Sequence, residues 1–246
     1  MRNLKLIIQY DGFLFHGFQI QPTARTVQGE IEKMLSHITG EDVHVQGCSR
    51  TDAGVHAYMY CLNFHTNFPI PADKLPYVMN NNKITTDIKV LSCEEVPESF
   101  NARFDTKYKT YRYLINTNPN EDVFLRNYQW FYGKPLDVEA MRQGAQHIIG
   151  EHDFRSFMTS GTDVSSTVRN VFSLEINNPS ENLVEILITA DGYLYNMVRI
   201  ITGTLVSVGE GKISPDKVKD IISSCDRQNA GPTAPPQGLY LYKVVY

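Results

Sequence analysis

The chain has few cysteines, no long apolar run and no basic excess, and each absence excludes something. Its four cysteines, Cys48, Cys61, Cys93 and Cys225, are scattered over 246 residues. They form no CxxC pair and no close Cys/His spacing, which argues against a zinc site. Four cysteines in a chain this long do not suggest a disulfide scaffold, so a reducing cytoplasm is expected. No apolar stretch approaches the roughly 20 residues of a membrane span. The start, "MRNLKLIIQYDG", has no cleavage-like site and reads as a first strand rather than a signal peptide. His147 and His152 lack the HExxH pattern, and no metal is expected there. Gly150 and Asp153 point instead to a helix end and a turn.

A positive balance is also missing. The formal charge is −4, whereas phosphate binding usually leaves a basic footprint. Net charge can hide a local patch. Arg103, Lys107, Lys109 and Arg112 fall close together, with Phe104, Tyr108, Tyr111 and Tyr113 interleaved. Bases stack on aromatic rings while Lys and Arg meet phosphates, so this mixture suits single-stranded or flipped-out RNA. It would equally suit a strand with one solvated face.

Apolar residues make up 42% and charged residues 20% of the chain, as in an ordinary globular protein. The first half reads β-α-β-β-α-β. "LKLIIQY" is a strand, and "TVQGEIEKMLSHIT" is a helix capped by Thr26, with Val27, Ile31, Met34, Leu35 and Ile38 at helical spacing. "DVHVQG" and "AYMYCLNFHT" are strands, "ADKLPYVMNNN" is a short helix broken by Pro76, and "DIKVLSCEEV" is the fourth strand. The second half repeats the order. "KTYRYLINT" is a strand, and "DVEAMRQGAQHIIG" is a helix with Asp137 as N-cap. "TVRNVFSLEINN" and "NLVEILITADG" are strands, and "YLYNMVRIITGTLVSVGEG" is a long apolar helix. "SPDKVKDIISS" is a helix with Ser214 as cap and Pro215 at its first position, and "GLYLYKVVY" is the closing strand. The order predicts an α+β fold of two ferredoxin-like halves, residues 1–105 and 106–246, with mainly antiparallel sheets and a cleft between the halves.

Two residues stand out chemically. Asp52 lies in "GCSRTDAGVHA", in a tight connection between two predicted strands. Loops on rigid scaffolds carry functional groups, yet Asp is also a common turn residue whose carboxylate bonds its own backbone. Arg50 lies on the same side if the chain is extended, where it would keep the carboxylate ionised. Arg199 sits in an apolar helix, opposite the stripe of Met197, Ile201, Leu205 and Val208 and near Asn196 and Gly203. An arginine there needs a partner, unless it snorkels to the surface or serves a structural ion pair. Tyr111 and Tyr113 share one face of a strand with Arg112 on the other. They are either core or a wall on which a base stacks.

These residues carry a resemblance. "SRTDAGVHA" resembles the catalytic motif of the TruA family of tRNA pseudouridine synthases. So do "YDGFLFHGFQIQP", "TVQGEIEKML", "VPESFNARF", "KTYRYLI", "GEHDFRSF", "VRNV", "NMVRIITGTL" and "GPTAPPQGLYL", in family order over essentially the whole chain, although Asn101 stands where the family usually has His. The resemblance implies the pseudouridine synthase fold and isomerisation of uridine to pseudouridine at positions 38, 39 and 40 of the tRNA anticodon stem-loop. It also implies a homodimer, with no cofactor and no metal. It makes Asp52 the catalytic carboxylate, Arg199 its pairing cation, Arg50 the arginine that helps displace the base, and Tyr111 the tyrosine that stacks on uracil. The run with Arg103, Lys107, Lys109 and Arg112 becomes part of the RNA cleft. Tyr113 would satisfy spacing equally well, and His56 is expected to be structural. Rival readings are a non-catalytic RNA-binding protein, a paralogue acting on other uridines, and a two-carboxylate glycoside hydrolase. The hydrolase would draw on Asp11, Glu151 or Asp153, none of which shares a motif with Asp52.

Overall fold

The computed structural model describes residues 1–82, 86–159, 161 and 164–246. It is a mixed α+β protein whose strands pair mainly antiparallel. It divides into two compact units, Met1–Lys107 with Tyr240–Tyr246, and Tyr108–Leu239. No helix among the described residues is long and apolar enough to cross a membrane.

The first unit opens with β1 (Arg2–Tyr10), in which Leu4, Leu6, Ile8 and Tyr10 alternate into the core. Helix α1 (Val27–Thr39) follows. The Thr26 side chain accepts from Gly29 N as expected of an N-cap, and Gly40 ends the helix at φ 73°. β2 (Val45–Gly47) pairs with β3 (His56–Thr66), and residues 48–55, which carry Asp52, connect the two. A 3-10 turn over Ala72–Lys74 runs straight into α2 (Leu75–Asn81). Pro76 therefore does not break a helix. It sits in the first helical turn, where its missing N–H is not needed. β4 (Ile88–Val96) pairs with β1, which pairs with β3 on its other side.

The second unit begins with β5 (Tyr108–Asn116), and the two-residue β6 (Trp130–Phe131) runs parallel to its end. Helix α3 (Val138–Gln146) starts on Asp137, which accepts from Ala140 N. Residues 150–153 are not a simple turn: they form β7 (Gly150–Asp153), and Gly150 opens it at φ 109°. β7 pairs with β8 (Val168–Ser180), β8 with β9 (Leu183–Ala190), and β9 with β5. Helix α4 (Met197–Gly209) is shorter than its apolar run, because Asn196 takes a left-handed φ of 62° just before it. Helix α5 (Lys217–Ser224) begins after Asp216. Ser214 and Pro215 form the tight turn that precedes it, with Lys217 N bonded to Ser214 O.

The last strand, β10 (Leu239–Val245), belongs with the first unit. It lies parallel to β3, with Tyr240 opposite His56.

Candidate active site

Asp52 is half-buried on a turn. Val55 N donates to Asp52 O at 3.2 Å, and Gly54 at φ 77° supplies the positive φ that such a turn needs at its third residue. The loop after β1 clamps this turn from one side. Phe18 N donates to Thr51 O at 3.1 Å, Gly54 N donates to Phe15 O at 3.2 Å, and the Tyr10 and Thr51 hydroxyls share a hydrogen bond of 2.8 Å. Two glycines make the approach possible. A Cβ on Gly12 would lie 1.9 Å from Val55 O, and one on Gly17 would lie 2.7 Å from Thr51 O. The carboxylate therefore stands on a backbone fixed both before and after it, as a reacting group requires.

His56 is buried, and its Nδ1 accepts from Gly12 N at 3.0 Å. Asp11 Oδ1 lies 3.2 Å from the same nitrogen, and the imidazole stacks on Tyr240 at 4.8 Å between centroids. These contacts hold the first loop against β3.

Arg50 is exposed and borders an open hollow of ≈ 360 Å³, whose wall also includes Gln46, Asn101, Arg103 and Phe104. The structure thus brings Arg50 and Arg103 to one depression in the first unit. The Arg103 guanidinium lies over the Phe104 ring, 5.4 Å from its centroid. Lys107 is exposed, and its backbone N donates to Val245 O.

In the second unit, Tyr111 and Tyr113 share a face of β5 and are both buried, but their partners differ. Tyr113 is fully buried, and its hydroxyl donates to Pro235 O at 2.6 Å; burial raises its pKa well above that of an ordinary tyrosine. Tyr111 packs edge-on against Tyr193 at 4.9 Å. The Tyr193 hydroxyl is fixed by Lys109 O and Ile188 O, and burial raises its pKa as well. Arg112, on the other face, donates to Glu185 at 2.6 Å.

Arg199 is half-buried at the start of α4. Its Nε donates to Ala234 O at 2.7 Å and its Nη1 to Asn196 Oδ1 at 2.8 Å. Sequence spacing placed Asn196 beside it correctly but missed Ala234. That carbonyl belongs to the "GPTAPP" segment, which packs on α4 where Gly203 leaves no Cβ; one there would meet Pro232 O at 1.8 Å. Sequence reasoning also missed Gln46 and the Tyr10–Thr51 pair. Gln46 is uncharged, and Tyr10 and Thr51 stand in separate motifs 41 residues apart.

Among the described residues, no group of three or more His, Cys, Asp or Glu side chains is placed to hold a metal ion. His147 faces Asp216 at 3.4 Å, and His152 Nε2 lies 3.1 Å from Ile149 O.

A family model described as tRNA pseudouridine synthase matches residues 6–105 and 145–246. A protein from Thermoanaerobacter sp. named tRNA pseudouridine synthase A is 48% identical over 246 residues, covering 100% of both chains. One of the same name from Bacillus subtilis is 45% identical over 245 residues, covering 99% of this chain and 98% of the other. Among solved structures, the archaeal box H/ACA sRNP Nop10-Cbf5 complex shows likeness at a TM-score of 0.39 and 11% identity, over 92% of this chain and 60% of that one. The clamped "SRTDAGVHA" turn and full-length identity agree: the chain belongs to the tRNA pseudouridine synthase family, enzymes that isomerise uridine in tRNA.

Proposed function

We propose that the chain converts uridine to pseudouridine at positions 38, 39 and 40 of the tRNA anticodon stem-loop, with Asp52 as the catalytic carboxylate and no cofactor. The reaction breaks the bond from ribose C1′ to N1, turns the uracil, and joins C1′ to C5. The C5 proton leaves and N1 gains one, so nothing is oxidised or consumed. An ionised Asp52 serves this chemistry by attacking C1′ or by taking the C2′ proton. The target must first leave the helix stack, at a cost of a few kcal/mol. Its detached base must then be held until it rejoins.

That need assigns the supporting residues. Arg50 assists displacement of the base, Tyr111 stacks on it, and Arg199 is the cation for the Asp52 carboxylate. Arg103, Lys107, Lys109 and Arg112 meet the RNA backbone. Two copies of the chain acting together in the cytoplasm, as a homodimer, would let a chain of net charge −4 assemble a basic groove from local patches.

The observation that carries this proposal is the position of Asp52, half-buried on a turn locked by Phe18, Gly54 and Val55, two residues from the exposed Arg50. The test is release of tritium from tRNA transcripts carrying 5-tritiated uridine. Asp52→Asn should release none while melting like the parent protein. Undiminished release from that variant would overturn the assignment. Mapping the converted uridines on tRNA from a strain lacking the protein tests the anticodon positions.

A further inference from the structure

The hollow beside Arg50 has a composition that the isomerisation of one base does not require. Among the described residues lining it are two arginines, Arg50 and Arg103, the amides of Gln19, Gln46 and Asn101, and the ring of Phe104, with no carboxylate. In a chain of net charge −4, that wall is selectively cationic. Phe104 is 74% exposed, although burying a phenylalanine is strongly favourable. An apolar ring left in water beside two guanidinium groups suits a planar base attached to a phosphate.

The hollow is built rather than loose. Phe18 in its lining stacks on Tyr60 at 4.5 Å, and Gly47, the last residue of β2, packs against both rings. A Cβ on Gly47 would meet Tyr60 Oη at 2.2 Å and the Phe18 ring at 2.5 Å. One wall is a turn fixed at both ends. Asn101 N donates to Asp105 Oδ2 at 2.8 Å, and Arg103 N donates to Asn101 Oδ1 at 2.9 Å. Asn101 Nδ2 donates to Gln46 Oε1. This bond turns the exposed Gln46 so that its carbonyl is used and its Nε2 remains to donate. The edge of the hollow therefore offers donors to a base that presents an acceptor.

We propose that this hollow is a second nucleotide subsite. It takes a nucleotide of the tRNA near the target uridine, with its base on Phe104, its edge on Gln46 and its phosphate between Arg50 and Arg103. It holds the displaced strand while the target base is out of the stack. The proposal rests on tRNA as substrate but not on the role of Asp52.

The test uses tRNA transcripts with a single 2-aminopurine placed in turn at each nucleotide of the anticodon loop and adjoining stem. Stacking on Phe104 should quench at least one position when wild-type protein binds. Phe104→Ala should lose that quench and weaken tRNA binding about 5-fold or more, the lower end for one stacked base. Phe104→Tyr, which keeps the ring, should restore both. Asp52→Asn should keep the quench, because that change leaves the hollow untouched. Absence of any quenched position, or a quench equal in Phe104→Ala, would overturn the subsite. Wild-type protein that binds tRNA with the quench but converts no anticodon uridine would overturn the proposed reaction instead.

Discussion

Asn196 Oδ1 lies 2.8 Å from Arg199 Nη1, and the two residues form one device at the start of α4. Asn196 stands at φ 62°, where a residue with a Cβ is disfavoured by about 1–2 kcal/mol and asparagine fares better than most. The same residue ends the irregular chain, begins the helix and holds the guanidinium. Its Nδ2 also donates to Thr159 at 2.9 Å. Asn196→Ala should therefore lower stability by about 1–2 kcal/mol. It should also lower turnover, because Arg199 loses one anchor. Asn196→Gly should recover the stability without the turnover. Thermal melts and single-turnover tritium release separate the two effects, and equal turnover in all three proteins would show that the anchor is catalytically silent.

Tyr111 and Tyr113 should respond oppositely to loss of a hydroxyl or a ring. Tyr113→Phe leaves the part-buried Pro235 carbonyl without its 2.6 Å partner. The expected cost is about 1–3 kcal/mol of stability, with turnover kept. Tyr111→Ala removes the proposed stacking surface, and kcat/KM should fall about 5- to 100-fold, corresponding to one base stack. A turnover loss in Tyr113→Phe together with a normal Tyr111→Ala would exchange the two roles.

Gly203 should not accept a side chain. Its missing Cβ lets Pro232 O approach, and the neighbouring segment is tied to α4 by Gly231 N to Thr204 Oγ1 at 2.9 Å and Ala234 N to Arg199 O at 3.0 Å. An alanine at this position would have to move backbone rather than a flexible side chain. Gly203→Ala should lose about 1–3 kcal/mol or more, a fall of several degrees in Tm. It should also reduce turnover, because Ala234 O holds Arg199. Thermal melts alongside tritium release measure both.

Much of this was legible in the sequence where a short-range rule decides the structure. Thr26 and Asp137 cap their helices through the side-chain bonds that their residue types predict. The alternation of Leu4, Leu6, Ile8 and Tyr10 marks a strand with one buried face. The motif residues of the 48–55 connection fall between two strands, as expected. What escaped depends on distant partners. Apolar periodicity extends α4 to Tyr193, but the left-handed Asn196 stops it, and that conformation is stabilised by Arg199 and Thr159 rather than by local sequence. β6 and β7 are two and four residues long, too short for a period to show. Spacing could not separate Tyr111 from Tyr113, since both face one side of β5. Pro235, more than a hundred residues away, gives Tyr113 its structural bond. The hollow beside Arg50 was half visible, because its arginines and Phe104 stand in quoted motifs. Gln46 is legible only as part of the strand "DVHVQG", and its bond to Asn101, 55 residues away, is not.

Alkaline pH should loosen the first unit. Burial pushes the Cys61 thiol from 9.0 up to about 11 and the Cys93 thiol up to about 12. The unfolded chain releases these protons near 9.0, whereas the folded chain retains them. The unfolded state therefore gains by ionising first. The stability linked to the protonated thiols is complete below about pH 9 and is lost as pH rises toward 11. For Cys61, two pH units correspond to about 3 kcal/mol. The urea midpoint should thus fall between pH 9 and 10.5, and Cys61→Ala should show a shallower fall from a slightly lower start. The Tyr113 and Tyr246 hydroxyls, also raised by burial, leave some alkaline loss in that variant. A parallel fall in the two proteins would show that Cys61 ionises no later folded than unfolded.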